Sequence, residues 1–183
     1  LRVAELEGLS PTDTSKLLTN LGIALADAGV AAWDAKYTYS FWRPEDAIRN
    51  ADSDGNDATI QDEEWEPYMD SPAHPEYVSG HSTFGAAAAA VLTDFFGEDY
   101  TFEATSQEMP ATVRMFDSFR EAAEENGRSR IYGGVHYEFS NQGGLTLGDS
   151  VANFVLANID DPREDAGGPI ILFGDTLMDA VEA

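Results

Sequence analysis

Arg130 and His136 lie six residues apart in the stretch SRIYGGVHYEFS, with Gly133-Gly134 between them. The arginine fork suits a tetrahedral oxyanion. The glycine pair permits a close turn, and a histidine ring nitrogen can reach the same centre. A second stretch, HPEYVSGHS, places Ser79 to cap a following helix. Gly80 lets backbone approach a ligand there, and the first free N–H groups of such a helix attract an anion. His81 then stands in the first turn. A third stretch, KYTYSFWRP, holds Lys36, one of two lysines in the chain, and Arg43 just before Pro44. Singly, each motif is ordinary. Together, one lysine, two arginines, a serine, a helix N-terminus and two histidines describe a site for an anion such as phosphate or vanadate. One histidine could bond the central atom, and the other could move protons.

These groups need helices to hold them. Leu17, Leu18, Leu21, Ala24, Leu25 and Ala28 form one stripe after a Ser-Pro-Thr-Asp start, which predicts a helix from residue 10 toward residue 39. Pro44 with Glu45 and Asp46 reads as the first turn of a short second helix. Residues 51–79 form a long irregular segment rich in Asp, Pro and Gly, and loops of this length are often functional. Helix is expected again from Ser79 to a Gly97 stop, from 111 to 125 ending near Gly127, and from 144 to 158. Strand signals are weak, and an apolar patch, IILF, follows in the tail. The reading is a single all-α domain over residues 1–183, a helix bundle with one long loop across the active-site end.

Composition narrows the function classes. Thirty-four acidic residues face ten basic ones, for a net charge of −24. Such a surface repels nucleic acid and anionic membranes. It suits concentrated salt, where the Debye length falls to about 3 Å, so a halophilic source is expected. With no cysteine, disulfides, thiolate metal sites and cysteine nucleophiles are excluded. No apolar run approaches the roughly 20 residues of a membrane-spanning helix. The chain is expected to be soluble, on the extracellular or periplasmic side. Leu1 is not an initiator methionine, which leaves open a lost leader or N-terminal region.

Lys36-six residues-Arg43-Pro44, then Ser79-Gly80-His81, then Ser129-Arg130-five residues-His136 resembles the signature shared by vanadium-dependent haloperoxidases and type 2 phosphatidic acid phosphatases. The resemblance implies that Lys36, Arg43 and Arg130 neutralise the equatorial oxygens of vanadate, with Ser79 and the Gly80 N–H adding hydrogen bonds. His136 would be the axial ligand of vanadium and His81 the acid–base residue. His74 looks like a residue of the algal bromoperoxidases, and Trp33 resembles a tryptophan of the halide pocket. The implied activity is oxidation of halide, bromide or iodide over chloride, by hydrogen peroxide, giving a hypohalous species that halogenates a small organic acceptor. Vanadium acts in it as a Lewis acid.

Two departures stand out. Val78 occupies a position where the family usually has proline. Ser140 occupies one where an aspartate often follows the last histidine by four positions, leaving Ser140, Glu138 or Asn141 to orient His136. A soluble acid phosphatase working through a phosphohistidine is the alternative. It would suffer more from that loss. A non-catalytic oxyanion-binding domain is a further reading. The relatives are usually longer, with two helix bundles, so this chain resembles the C-terminal, motif-bearing half, completed by a missing segment or another chain. A calcium loop at Asp52, Asp54, Asn56 and Glu63 is disfavoured, because Asp57 stands where such loops need glycine.

Overall fold

A computed structural model describes residues 2–159 of the chain. Helix α1 covers Arg2–Leu6 and α2 covers Pro11–Tyr39. The start of α2 follows from its residues: the Ser10 hydroxyl accepts the Asp13 N–H at 3.1 Å, and proline occupies the first turn. Ser40, in the left-handed region at φ 46°, ends the helix and donates its N–H to the Lys36 carbonyl. Short α3 (Pro44–Arg49) and a 3₁₀ turn at Ala51–Ser53 lead into the long connection. Helix α4 then runs over Gly80–Phe96, α5 over Phe119–Tyr132 and α6 over Glu138–Asn158. The expected all-α bundle is the architecture observed.

Small residues bring the helices close. On α2, Ala24, Ala28, Ala31, Ala32 and Ala35 form a buried strip. It joins Ala87 and Val91 of α4 and Leu147, Val151, Ala152 and Val155 of α6 in one apolar core. Burying each valine or leucine there contributes roughly 1.5–3 kcal/mol. The α4–α6 crossing is the tightest. A Cβ on Gly148 would lie 2.1 Å from the Thr83 carbonyl oxygen, and one on Gly144 would lie 2.6 Å from that of Ser79. These glycines hold α6 against the N-terminal turns of α4.

Two expectations need correction. The segment 111–125 is not one helix. Arg114–Phe116 is a strand (β2), paired antiparallel with Phe102–Ala104 (β1), with Phe102 opposite Phe116, and α5 begins only at Phe119. The reason is aromatic packing. Tyr100 and Phe102 stack on Phe119 at 5.0 and 5.1 Å, and Phe116 lies 5.5 Å from Phe102. Helix α6 starts at Glu138 rather than 144, because its glycines serve close packing, not chain reversal. The IILF patch lies outside the described residues.

Candidate functional site

Three segments meet at one end of the bundle. The last turns of α2 carry Trp33 and Lys36, the N-terminus of α4 carries Ser79, Gly80 and His81, and the α5–α6 corner carries Arg130 and His136. Trp33, His74, Gly80, His81, Phe84, Arg130 and His136 line a cavity of about 240 Å³, joined by Pro72 and Asn126. The Ser79 hydroxyl caps α4, facing the Ser82 N–H at 3.4 Å and accepting the Ser82 hydroxyl at 2.9 Å. The Trp33 ring packs against the first turn of α4, where a Cβ on Gly80 would meet it at 3.5 Å, an ordinary contact. The His74 ring sits 5.3 Å from Trp33 and Phe84 sits 6.3 Å from it, so the cavity has an aromatic wall. The Tyr77–Val78 peptide, at the position where proline is usual, is cis.

Lys36 is fully buried. Its ammonium donates to the carbonyls of Pro75, Glu76 and Val78, the first two at 3.1 and 3.0 Å. Arg43 donates to the carbonyls of His74 (3.1 Å), Pro75 (3.3 Å) and Val135 (2.7 Å), and to Nδ1 of His74 at 3.1 Å. Both cations therefore brace the segment leading into α4, while their charge reaches the cavity. That charge lowers the affinity of His74 for a proton, after burial as the main cause. His81 is pushed the same way, by desolvation first and then by Arg130 and Lys36. Lys36 itself is lowered to about 8, by burial and then by Arg43, with Glu76 opposing.

Arg130 is the cation with donors to spare. Its Nη1 meets only the thioether of Met69, at 3.3 Å, and its buried Nε has no hydrogen-bond partner among the described residues. A buried guanidinium nitrogen without an acceptor asks for an anion. The donor set fits a tetrahedral oxyanion such as vanadate or phosphate: the Arg130 fork, the α4 N-terminus, and two further cations close by.

His136 is 5% exposed, and its Nδ1 lies 2.6 Å from Oε1 of Glu76, which is fully buried. Its Nε2 receives the Arg43 Nη1 at 3.2 Å. Burial lowers the ring to about 4; the Glu76 contact opposes this, and the charges of Arg43 and Lys36 add to it. At neutral pH the contact is thus a hydrogen bond from a neutral ring, not an ion pair. Glu76 has no role assigned by the sequence reading, although it sits within HPEYVSGHS. Of the three residues expected to orient His136, only Ser140 touches the ring, and weakly. Ser140 lies at 3.5 Å, the limit of a hydrogen bond. Glu138 is exposed and pairs with Arg128, and Asn141 bonds Ser82 and Glu138.

Away from the site, the Asp54 carboxylate accepts the Asn56 N–H (2.7 Å) and the Thr59 hydroxyl (2.8 Å). Among the described residues, no group of three or more His, Asp or Glu is placed to hold a metal ion, at this loop or elsewhere. No described helix is long and apolar enough to cross a membrane.

Comparison with known proteins agrees with this geometry. The family described as the VCPO second helical-bundle domain matches residues 16–165. The vanadium chloroperoxidase of Curvularia inaequalis is 26% identical over 69% of this chain and 28% of that enzyme. A bacterial vanadium-dependent iodoperoxidase crystal structure superposes with a TM-score of 0.75 at 34% identity, over 84% of this chain and 36% of its own. A holo-type bacterial vanadium-dependent chloroperoxidase shares the fold, with a TM-score of 0.60 at 20% identity, over 74% of this chain and 34% of its own. The chain spans about a third of the length of these relatives. With the family matched along most of its length, this chain belongs to the vanadium haloperoxidases and carries their second helical-bundle domain.

Proposed function

We propose that this domain holds vanadate and takes part in oxidising halide, bromide or iodide in preference to chloride, with hydrogen peroxide. The net reaction, peroxide plus halide plus a proton giving hypohalous acid and water, oxidises halide by two electrons and consumes one proton. The observation that carries the reading is Arg130, whose buried Nε lacks an acceptor beside the neutral ring of His136. Arg130, the Gly80 N–H and the Ser79 cap would hold the oxyanion, with His136 offering Nε2 to vanadium. Bound vanadate supplies a Lewis acid that activates peroxide without changing its own oxidation state.

The chain's own groups do the rest. His81, accessible at the cavity rim and lowered in proton affinity, is suited to pass a proton between bulk water and the site. Lys36 and Arg43 add positive charge without offering their protons in the present geometry. They also hold the backbone from which Ser79 and Gly80 follow. The aromatic wall of Trp33 and Phe84 suits a weakly hydrated halide, and His74 offers it a polar contact.

A specific observation also supports the phosphatase reading. A histidine nucleophile needs an orienting partner, and Glu76 provides one. The absence of an aspartate at Ser140 therefore no longer weighs against phosphohistidine chemistry. Peroxide-dependent bromination of a reporter dye in molar salt, with and without vanadate, decides between the two. Vanadate-dependent turnover, lost in His136→Ala and in excess phosphate, supports the haloperoxidase. Hydrolysis of a phosphate ester with no bromination replaces it with the phosphatase. The acidic surface makes molar salt the condition of choice, consistent with a halophilic source.

A further inference from the structure

We propose that Glu76 is the positioning residue of the site: it keeps the His136 proton on Nδ1 and so presents the Nε2 lone pair to the central atom of a bound oxyanion. The inference deepens the oxyanion-site reading above and rests on it for the identity of the ligand. It does not depend on whether the bound group oxidises halide.

The two partners of the ring settle the tautomer. On one side, Nε2 lies 3.2 Å from a guanidinium nitrogen of Arg43. Guanidinium has donors and no acceptor, so Nε2 must be the nitrogen that accepts. On the other side, Nδ1 lies 2.6 Å from Oε1 of Glu76, and that same oxygen accepts the Tyr137 N–H at 3.1 Å. An oxygen already receiving a backbone N–H is an acceptor, so the ring proton belongs on Nδ1. A neutral histidine with this proton placement offers Nε2 as its lone pair, on the side where Arg43 and the cavity lie.

Glu76 itself is held by means unrelated to the histidine. Its own N–H donates to the Phe41 carbonyl at 2.9 Å, and Lys36 clamps the carbonyls of Pro75, Glu76 and Val78. Both Lys36 and Arg43 feel the Glu76 charge, which compensates a carboxylate buried to 0% exposure. The fully buried Lys36 therefore also fixes the carboxylate that in turn fixes His136. Glu76 also precedes Ser79, Gly80 and His81 on one short segment. A single stretch of chain thus brings the positioning carboxylate, the helix N-terminus and the accessible histidine to the site. The carboxylate comes from the stretch of chain entering α4, not from the first turn of α6, where Glu138 pairs with Arg128 and Ser140 is the residue that touches His136.

The test begins with long-range ¹H–¹⁵N NMR of the histidine side chains in the folded protein at neutral pH. The expected result is a neutral His136 protonated at Nδ1. A ring protonated at Nε2 overturns the proposal without any variant. In Glu76→Gln, Arg43 still faces Nε2, so the tautomer should persist, but the neutral amide holds Nδ1–H more weakly. That proton's resonance should move upfield, and vanadate affinity measured by calorimetry should fall about 10- to 100-fold, as for other groups that orient a metal ligand. Adding Ser140→Asp to that variant places a carboxylate four residues after His136, and should restore both the downfield resonance and most of the affinity. A purely structural role for Glu76 predicts no such rescue. An unchanged Nδ1–H resonance or unchanged vanadate affinity in folded Glu76→Gln overturns the proposal, whatever the bromination assay shows. Altered resonance and affinity without bromination keep it and discard only the haloperoxidase activity.

Discussion

Residues 54–60 and residues 74–78 belong to the same connection between α3 and α4, yet different forces order them. The first stretch is exposed throughout and folds on itself: Asp54 accepts from Asn56 and Thr59, and Asn56 accepts the Ala58 N–H at 3.1 Å. In the second, Glu76 and Val78 are buried, and Lys36 and Arg43 hold the backbone through the carbonyls of His74, Pro75, Glu76 and Val78. Short polar side chains suffice to shape a surface turn. A buried irregular segment needs donors from elsewhere, because it has no ladder of its own. In this fold those donors are the cations whose charge also serves the site.

Replacing Lys36 should have the largest effect. Lys36→Met removes the ammonium donor from three carbonyls, leaving Pro75 with Arg43 and Glu76 with only the long Ser140 contact, and leaves the Glu76 carboxylate less compensated. Losing one partner of a buried charged set costs about 3–5 kcal/mol. Thermal unfolding should show that loss, and hydrogen exchange should show it first in residues 74–78. Full protection of that segment in the variant would mean that packing, not Lys36, orders it.

Arg130→Ala should leave the segment intact while removing the cation that has unpaired donors. Phosphate or vanadate affinity is expected to fall about 10- to 100-fold, a loss of about 1.4–2.8 kcal/mol, with little change in melting temperature. Calorimetry on the folded variant measures both. A large stability loss with unchanged affinity would assign Arg130 to the scaffold.

The third effect is on pH dependence. His136 titrates near 4 in the folded chain, below its ordinary 6.5, so between those values the unfolded chain binds a proton that the folded one does not. Stability from this group is complete above pH 6.5 and falls as pH drops toward 4, by at most about 1.4 kcal/mol per pH unit. Urea titrations at a series of pH values, with His136→Gln as reference, should show the slope in the wild type alone. Lys36, lowered to about 8, predicts weaker oxyanion affinity as pH rises through that value.

Asp54→Ala should do least, about 0.5 kcal/mol or less, as expected for an exposed position. Wild-type behaviour in melting and vanadate binding would confirm that the exposed half of the connection is uncoupled from the site.

Patterns that depend on near neighbours are legible in the sequence. The stripe Leu17, Leu21, Ala24, Ala28 marks α2, Ser79-Gly80 marks the start of α4, and the scarce cations and histidines mark the site residues. Glycines mislead for a physical reason. Local sequence reads Gly127 as an ending and Gly144 as a beginning, but both lie inside helices. A Cβ on Gly127 would fall 2.2 Å from the Asn141 side-chain oxygen. Absence of a side chain can signal either a turn or a close crossing, and local sequence does not separate the two.

By itself, the sequence determined the helical class, the acidic composition and most of the residues that gather at the cavity, because residue type, period and spacing carry that information. Only the tertiary structure decided which carboxylate faces His136. Along the chain, Ser140 is one helical turn from the histidine and Glu76 is sixty residues away. The bundle reverses that order, as Lys36 pins the backbone of Glu76 and the α4–α6 crossing brings His136 against it. Partner choice in a buried site follows distance in space and the need to satisfy every donor, and neither is written in a local motif.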